Sequence, residues 1–250
     1  MKNSNLISVI MASNTIDNYL LDSINSILDQ SYKNIELIFI ANGNNSSALS
    51  TYIKENISDD RLYIYETPIA QLAFSLNLAI SYSNGEFIAR MDADDISIPE
   101  RLELQLNYLT KNNLDMVASD LILINSEGNK IGKRLYPKKN INKILSFKNT
   151  FAHNTVFIKK KIILDARGYN SGFNSEDYDL WLRLARNNIK WSNMPNFLVY
   201  YRIHSASTQR KKLGYAESSG YALRELLIKF SFYKLLSVPY HILKTFIRSK

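Results

Sequence analysis

Three aspartates within four residues, Asp92, Asp94 and Asp95, are the strongest chemical signal in this sequence. They follow a short strand predicted at Glu86–Met91. Carboxylates this close repel one another, and a hydrated divalent cation would relieve that repulsion. Because oxygen-only ligands suit Mg²⁺ or Mn²⁺, the cluster indicates a metal site able to hold a diphosphate. The simpler alternative is turn and cap chemistry between a strand and a helix.

A helix is predicted directly after this acidic cluster. Ser97 is predicted to cap it, Pro99 lies in its first turn, and Glu100 follows Ser97 at the capping-box spacing. The cluster would therefore lie where a strand ends and a helix begins. In open α/β sheets, ligands bind at that carboxyl edge of the strands.

A second acidic group occupies the predicted first turn of a helix in the segment Gly172–Arg186. It consists of Glu176, Asp177 and Asp179, and Ser175 is predicted to cap the helix. A helix N-terminus favours acidic side chains through its dipole alone. Catalysis and simple helix stabilisation are therefore both open interpretations of these residues.

The three histidines differ in their setting. His204 follows a strand predicted at Phe197–Ile203 and lies near Arg202, so both side chains could approach a phosphate or a metal at a strand end. His241 falls in a basic C-terminal segment, and His153 precedes another short strand. A histidine without a chemical partner in sequence is more often structural.

Apolar runs alternating with helical patterns organise the first 110 residues. Four strands are predicted, the first two of them buried, and a helical segment follows each strand. The predicted strands are Leu6–Ala12, Ile35–Ala41, Arg61–Glu66 and Glu86–Met91. This alternation predicts an α/β fold with a mostly parallel sheet and helices on both faces. After Asn112 the rhythm changes, and the second half is predicted to be mixed.

The bulk composition is that of a packed globular protein. The chain has 250 residues, of which 46% are hydrophobic and 22% charged, and it contains no cysteine. Disulfides and thiolate zinc sites are therefore excluded. The N-terminal apolar stretch is too short for a signal sequence, and no apolar run is long enough to span a bilayer. We therefore expect a cytoplasmic protein.

The net charge of +8 is unevenly distributed. Residues 183–250 contain 13 Lys or Arg and two acids, whereas the rest of the chain is slightly acidic. Such asymmetry points to an anionic partner. The segment 211–250 is predicted to be a basic amphipathic helical tail that Pro239 breaks or kinks. The tail either lies on an anionic membrane surface or packs on the body with a solvated basic face.

Six segments, in this order, resemble family 2 inverting glycosyltransferases of the GT-A fold. The resemblance covers about residues 6–205. The segments are ISVIMASNT, SILDQSYKNIELIFIANG, SLNLAI with NGEFIARMDADDISIPERLELQ, HNTVFIKK, GYNSGFNSEDYDLWLRLAR and YYRIH. Each segment is weak alone, but their order and spacing make the signal specific.

The resemblance implies roles for the acidic cluster. Asp92 and Asp94 match the family's DXD motif, which holds Mn²⁺ or Mg²⁺ against the diphosphate of the donor. Asp92 is expected nearer the ribose, and Asp95 is expected to support the pair. His204 matches a histidine that approaches the metal or the diphosphate, and Arg202 is expected on the donor side.

The resemblance also implies a catalytic base and a nucleobase pocket. Glu176 and Asp177 match the position of the base, and Asp177 is the favoured candidate. Ser13 and Asn42 match positions that line the nucleobase pocket. Asn42 stands where an aspartate is usual, and Leu76 where an arginine is common. An amide offers both a donor and an acceptor, so Asn42 does not by itself indicate uracil. UDP is the expected nucleotide only because the chain resembles this family.

These inferences predict a metal-dependent, inverting hexosyl- or N-acetylhexosaminyltransferase that uses a nucleotide sugar. Its acceptor is expected to be a glycan or lipid-linked glycan of bacterial O-antigen or capsule synthesis, at the inner face of the cytoplasmic membrane. The expected GT-A domain at 1–210 has a nucleotide-binding half (1–112) and an acceptor-side half (113–210), followed by the tail at 211–250. The alternative is a non-catalytic nucleotide-sugar-binding scaffold. Since no nucleic-acid motif is present, no nucleic-acid partner is expected.

Overall fold

Four parallel strands form the first half of the computed structural model, which describes residues 5–170, 172, 175–204 and 212–247. The strands are β1 (Ile7–Ser13), β2 (Ile35–Asn42), β3 (Leu62–Thr67) and β4 (Phe87–Arg90), and their order in the sheet is β3-β2-β1-β4. The helices between them are α1 (Leu20–Leu28), α2 (Ser46–Asn56) and α3 (Leu72–Tyr82). The predicted alternation of strands and helices is confirmed.

Side chains of the central strands point alternately to two apolar cores, one on each face of the sheet. Val9 and Met11 of β1 pack in one core with α1 and α2, and Ile10 packs in the other with α3. All three are fully buried. Burial of one such side chain contributes about 1.5–3 kcal/mol, which explains why β1 and β2 are mostly apolar. The two cores support the loops at the carboxyl edge of the sheet.

The second half of the chain extends the same sheet with mixed strand directions. Its strands are β5 (Ile96–Ser97), β6 (Met116–Ile124), β7 (Lys130–Arg134), β8 (Phe157–Lys159) and β9 (Trp191–Arg202). The sheet continues from β4 through β8, β6 and β9 to β5, and β7 pairs with β6. In this half β6 and β9 are parallel, whereas β8, β7 and β5 pair in the antiparallel direction. The prediction of a mixed second half is confirmed.

In the described residues, six helices follow β4. They are α4 (Arg101–Lys111), α5 (Ile141–Leu145), α6 (Lys160–Asp165), α7 (Glu176–Arg186), α8 (Lys212–Ile228) and α9 (Phe232–Ile247). A short 3-10 turn at His153–Thr155 precedes β8. Helices α8 and α9 pack on each other, and α8 also contacts α7. The tail is therefore attached to the body through α7.

The start of α4 differs from the prediction. Ser97 does not cap the helix, because it pairs with Val199 of β9 in the short strand β5. Its hydroxyl accepts a hydrogen bond from Gln30 Nε2 at 3.2 Å. The helix begins at Arg101, directly after Glu100, without a side-chain cap. The predicted capping box is therefore wrong, since strand pairing across the sheet takes precedence over the local signal.

The tail also differs from the prediction in one respect. Pro239 lies inside α9, and the helices separate between Ile228 and Phe232 instead. Of the two predicted effects of Pro239, a break or a kink, the break is therefore wrong. Pro239 has no N–H, so α9 lacks one backbone hydrogen bond at this position. Packing on α8 and on the body stabilises the helix there. In the described part of the chain, each helix is too short or too polar to cross a membrane.

Candidate active site

The three aspartates lie in the loop between β4 and β5, at the carboxyl edge of the parallel strands. One carboxylate oxygen from each lies within 4.8 Å of the others. The side chains of Asp92 and Asp94 are each 31% exposed, whereas Asp95 is fully buried. The structure therefore brings the cluster together as predicted, with two carboxylates accessible and one enclosed.

Asp95 is held by protein donors on both carboxylate oxygens. Oδ1 accepts the backbone N–H of Arg202 at 2.9 Å, and Oδ2 accepts the side-chain amide of Asn154. The carbonyl oxygen of Asp95 accepts the Ser23 hydroxyl at 2.6 Å. Burial and the charges of its two aspartate neighbours raise the pKa of Asp95 well above its ordinary value. Asp95 therefore anchors the loop.

Asp94 faces the end of β9. Its Oδ2 lies 2.9 Å from Nε2 of His204. Burial, followed by the charge of Asp92, raises the pKa of Asp94, and the interaction with His204 opposes that rise. The His204 ring lies 5.6 Å from the ring of Tyr19. His204, which the resemblance places near the metal or the diphosphate, thus lies beside Asp94 across 110 residues of sequence.

The side chain of Arg202 holds the acidic loop by hydrogen bonds to backbone carbonyl oxygens. Its guanidinium donates to the carbonyl oxygens of Asp94, Asn125 and Ser126 at 2.9, 3.2 and 3.1 Å. The guanidinium also lies over the Tyr19 ring, 4.1 Å from its centroid. Arg202 is only 4% exposed. These contacts fix the shape of the loop and leave little of the side chain open to a ligand.

Arg90 is a site residue that sequence reasoning missed. It is buried at the end of β4 and forms an ion pair with Asp92. Burial lowers the pKa of Arg90, but the facing Asp92 carboxylate raises it to a net value above the ordinary one. Residues two apart in a strand share one face. Asp92 lies beyond the end of β4, so strand alternation did not mark this pair.

The accessible groups of this loop fit a divalent cation. Asp92 and Asp94 offer hard carboxylate oxygens, and His204 adds an imidazole nitrogen beside them. Carboxylates suit Mg²⁺ and Mn²⁺. Asp95 fits less well as a ligand because protein groups already donate to both of its oxygens.

A cavity of about 500 Å³ opens beside the loop. It reaches from Asp92 to Asp177 of α7, so one space joins the two acidic groups found in the sequence. Glu176 is not among its lining residues. The remaining lining residues are Leu121, Arg134, Leu135, Tyr136, Pro137, Lys148, Asn149, Phe151, Ala152, His153, Asn154 and Tyr201.

Asp177 lines the cavity and accepts two hydrogen bonds. Its Oδ1 accepts the backbone N–H of Tyr178 at 2.6 Å, and Oδ2 accepts the side-chain amide of Asn149. Burial and then the neighbouring Glu176 raise the pKa of Asp177 to about 7, against these two hydrogen bonds. A carboxylate with a pKa near the working pH is suited to general-base chemistry.

The other residues of this acidic group have different surroundings. Burial raises the pKa of Glu176 as well. Asp179 is 1% exposed and pairs with Arg183 and Arg224, at 2.8 and 2.5 Å. Asp179 therefore ties α7 to α8. The structure assigns it a structural role.

Ser175 stands at the predicted N-cap position of α7 but makes no side-chain cap hydrogen bond. Its hydroxyl donates to the carboxylate of Glu217 in α8 and lies 3.4 Å from the Tyr221 hydroxyl. Pairing with α8 therefore replaces the local cap. Phe173 and Asn174, which belong to the same predicted segment, lie outside the described residues.

The expected nucleobase residues lie side by side at the strand ends. Ser13 is the last residue of β1 and pairs in register with Ala41 of β2, which directly precedes Asn42. The Ser13 hydroxyl donates to the carbonyl of Thr15 at 3.0 Å. The amide nitrogen of Asn42 donates to the Ser75 hydroxyl at 2.6 Å. Leu76, the other departure from the family, is fully buried in the core.

Two histidines have settings that the sequence did not reveal. His153 lines the cavity and lies 2.9 Å from the Tyr169 hydroxyl. Burial and then the charge of Arg90 lower the pKa of His153 well below its ordinary value, which favours the neutral ring. His241 of the tail is buried, 3.0 Å from the carbonyl of Ser146. The family-like segment HNTVFIKK could have identified His153 as a site residue, whereas no local pattern predicted that His241 is buried.

A comparison with known families decides the classification. The model of glycosyl transferase family 2 matches residues 8–178, a span that contains the acidic loop and Asp177. The chain belongs to glycosyl transferase family 2. The relative described as O-antigen biosynthesis glycosyltransferase WbnJ, from Escherichia coli, is 48% identical over 247 residues, which cover 97% of each chain. The recognition of the family from its motifs is confirmed.

A more distant relative carries a more specific description. The Escherichia coli protein WfgD, described as a UDP-Glc:alpha-D-GlcNAc-diphosphoundecaprenol beta-1,3-glucosyltransferase, is 31% identical over 210 residues. The match covers 83% of this chain and 81% of WfgD.

Solved structures share the fold of this family 2 glycosyltransferase at low sequence identity. TarS 1–349 from S. aureus, in complex with UDP-GlcNAc, is 15% identical with a TM-score of 0.69, over 94% of this chain and 71% of that chain. The mannosyltransferase PcManGT from Pyrobaculum calidifontis, in complex with GDP-Man and Mn2+, is 12% identical with a TM-score of 0.67, over 95% and 73%. The predicted GT-A fold is confirmed.

Proposed function

We propose that this glycosyltransferase moves a hexose or N-acetylhexosamine from a UDP-sugar to a hydroxyl of a glycan acceptor, with inversion, in surface polysaccharide synthesis. The observation that carries the proposal is that Asp92 and Asp177 line the same cavity. The relationship to WbnJ and WfgD supports the polysaccharide setting.

The acidic loop is the proposed site of the leaving group. Asp94, Asp92 and His204 would hold Mn²⁺ or Mg²⁺ there. The bound cation would supply Lewis-acid stabilisation of the charge that develops on the diphosphate. Asp95 and Arg202 act on the donor side by holding the loop in shape.

Asp177 is the proposed general base. Its carboxylate takes the proton of the acceptor hydroxyl as the hydroxyl oxygen bonds to the anomeric carbon of the donor sugar. The bond from that carbon to the diphosphate oxygen breaks, and the nucleoside diphosphate leaves with the electron pair. One displacement inverts the anomeric configuration. General-base catalysis contributes about 10²–10⁴-fold. Glu176 is the weaker candidate because it does not line the cavity.

The two halves of the chain have separate proposed roles. Residues 1–112 supply the nucleotide side, with Ser13 and Asn42 near the nucleobase. Residues 113–210 supply the acceptor side, with Asp177 and much of the cavity wall. One sheet runs through both halves, so the two sides are held in a fixed relation.

The tail at 211–250 is proposed to place the enzyme peripherally on an anionic membrane, where a lipid-linked acceptor would be found. It contains eight Lys or Arg and two acids. Helix α9 packs on the body through His241, which lies 3.0 Å from the carbonyl of Ser146, and leaves an apolar face exposed. A basic amphipathic helix with this exposure suits an anionic lipid surface. The exposed apolar residues include Phe232, Leu235, Leu236, Leu243, Phe246 and Ile247.

A donor screen tests the proposed function. UDP-hexoses and UDP-N-acetylhexosamines are incubated with the enzyme and Mn²⁺, and with EDTA in place of Mn²⁺. We expect one donor to be hydrolysed or transferred at least tenfold faster than the others, with activity lost in EDTA. The anomeric configuration of any glycoside product is read by NMR. A retained configuration, or equal activity in EDTA, would contradict the proposal.

A non-catalytic nucleotide-sugar-binding scaffold is the second candidate, and Asn42 favours it because the family usually has an aspartate there. The same screen separates the two functions. Metal-independent binding of UDP-sugars without hydrolysis or transfer would support the scaffold.

A further inference from the structure

A buried histidine of the tail bridges two segments that meet at Asp177. His241 lies in α9 and is 2% exposed. Its Nε2 lies 3.0 Å from the carbonyl oxygen of Ser146 and 3.2 Å from the hydroxyl of Tyr178. Ser146 directly follows α5, whereas Tyr178 belongs to the first turn of α7. One side chain of the tail therefore joins α5 to α7.

The partners of His241 determine which of its nitrogens carries the proton. The Ser146 carbonyl can only accept a hydrogen bond, so Nε2–H donates to it. The Tyr178 hydroxyl already donates to the carbonyl of Leu145 at 2.7 Å, so its oxygen accepts from His241 as well. Nδ1 is buried without a hydrogen-bond partner in the described residues, which suits the unprotonated nitrogen. Burial lowers the pKa of His241 and favours this neutral ring, a donor shared by two acceptors.

Both residues that donate to Asp177 belong to the segments that His241 joins. The backbone N–H of Tyr178 donates to Oδ1 of Asp177 at 2.6 Å. Asn149 donates to Oδ2 and lies three residues after Ser146. Backbone hydrogen bonds hold the intervening residues on the end of α5. A shift of either segment would therefore move a donor relative to the carboxylate.

Aromatic contacts support α9 at the same place. Tyr240 contacts Phe147 edge to face, with ring centroids 5.6 Å apart, and the ring of His241 lies 5.8 Å from that of Tyr178. His241 does not line the cavity that contains the acidic groups. Any effect of His241 on the reaction therefore acts through Tyr178 and Asn149.

We propose that His241 is a positioning residue for the transfer reaction, which holds Ser146 and Tyr178 together and so keeps both hydrogen-bond donors on Asp177. This inference rests on the proposed function, in which Asp177 is the general base. Well-placed donors stabilise the ionised carboxylate, and precise placement of a catalytic group contributes to the rate. The tail then supports the base as well as offering a surface to the membrane.

Substitutions of His241 test this inference. His241→Leu keeps the position filled but removes the donor. We expect kcat for hydrolysis of the UDP-sugar that the donor screen selects to fall about tenfold, because a slightly misplaced base is less effective. The acidic limb of its pH profile should shift to higher pH, while UDP binding with Mn²⁺ stays unchanged in calorimetric titration. His241→Gln, whose side-chain amide can replace Nε2–H, should restore both kcat and the profile.

The groups that act electrostatically on Asp177 stay in place in both His241 variants. They are Glu176, Arg90, Tyr136, Tyr169 and Tyr178. Two further cations, Arg134 and Lys148, line the same cavity and are also retained. A shifted profile is therefore attributable to the placement of the donors.

Ser237→Ala is the matched control in α9. Ser237 is 1% exposed, and its hydroxyl donates to the carbonyl of Lys234 within the helix at 2.8 Å. Neither kcat nor the pH profile should change in this variant. Tyr178→Phe removes the hydroxyl that His241 contacts and should shift the acidic limb in the same direction as His241→Leu. This second variant decides the question if His241→Leu does not fold.

Two results would overturn the inference. One is a wild-type kcat and pH profile in the folded His241→Leu or Tyr178→Phe variant. The other is a loss of UDP binding in step with kcat at an unshifted profile, since that pattern shows a general structural defect. Asp177→Asn separates this inference from the proposed function. Undiminished hydrolysis by Asp177→Asn would contradict the base itself, whereas its loss alongside a wild-type His241→Leu would overturn only the positioning role.

Discussion

The side-chain amide of Asn149 donates to Oδ2 of Asp177, while its carbonyl oxygen accepts the backbone N–H of Phe151 at 3.2 Å. The second hydrogen bond fixes which way the amide points. Asn149 therefore presents only donor atoms to the carboxylate. A donor stabilises the ionised form, so Asn149 lowers the pKa of a base that burial and Glu176 raise.

Asn149→Ala is expected to shift the acidic limb of the pH profile of kcat/KM to higher pH, by about one pH unit. Loss of the donor leaves the charged carboxylate less stable, so ionisation of Asp177 requires higher pH. Transfer rates measured from pH 5 to pH 9 check this. Glu176, Arg90, Tyr136 and Tyr169 also act on this part of the site electrostatically. A uniform loss of rate with an unshifted profile would show that Asn149 is merely structural.

Asp177→Asn is expected to stabilise the fold at alkaline pH. The ordinary pKa of 3.8 applies to the unfolded chain, and the folded pKa is about 7. The folded state therefore holds this proton more tightly, and stability is lost as pH rises from about 4 to 7. At pH 8 the asparagine should add on the order of 2–4 kcal/mol.

Thermal unfolding at pH 5 and pH 8, without metal or donor, measures this effect. The gain in Tm should be larger at pH 8 than at pH 5. Asp22→Asn, at an exposed position of α1, is the control and should show no such difference. An equal or smaller gain at pH 8 would show that the pKa of Asp177 is not raised.

His204→Ala is expected to raise at least tenfold the Mn²⁺ concentration that gives half-maximal UDP binding. The imidazole either contacts the cation or orients Asp94, and loss of either role has that order of effect. Calorimetric titration of UDP binding at several Mn²⁺ concentrations checks the shift. Tyr19→Phe keeps the neighbouring ring and serves as the control. An unchanged metal requirement would remove His204 from the metal site.

The double substitution Leu243→Glu with Phe246→Glu is expected to weaken binding to anionic vesicles at least tenfold. Both side chains lie on the exposed face of α9, at 60% and 70% exposure, and charge there opposes insertion among lipids. Vesicle sedimentation at low and physiological salt measures binding. Ile131→Glu, on β7 and 55% exposed, is the matched control. Equal binding by both variants would place the membrane contact elsewhere or exclude it.

The acidic loop was predictable because its signals are local. An apolar strand, three aspartates and a helical period fall within one short stretch, and the sheet then brings Asp92 to the carboxyl edge. The pairing of Arg90 with Asp92 was not predictable from strand alternation, because Asp92 lies beyond the end of β4. The start of α4 was not predictable, since Ser97 pairs with a strand residue that lies about 100 positions later.

The environment of Asp177 depends on contacts that no sequence pattern specifies. Asn149 lies 28 residues away in a region without regular periodicity. Asn154, which holds Asp95, lies 59 residues from it, inside a segment noted only for its resemblance to the family. A sequence can therefore indicate which carboxylates matter, whereas their hydrogen-bond partners and pKa values follow from the folded structure.

The separate duties of the two acidic groups are tested most directly by comparing Asp94→Ala with Asp177→Asn. UDP binding with Mn²⁺ and sugar transfer are measured on both variants, after circular dichroism confirms that each is folded. Asp177→Asn should bind UDP with Mn²⁺ as tightly as the wild type while transfer falls at least 10²-fold. Asp94→Ala should lose the Mn²⁺-dependent part of UDP binding together with transfer. Near-normal transfer by Asp177→Asn, or unchanged Mn²⁺-dependent binding by Asp94→Ala, would contradict the account.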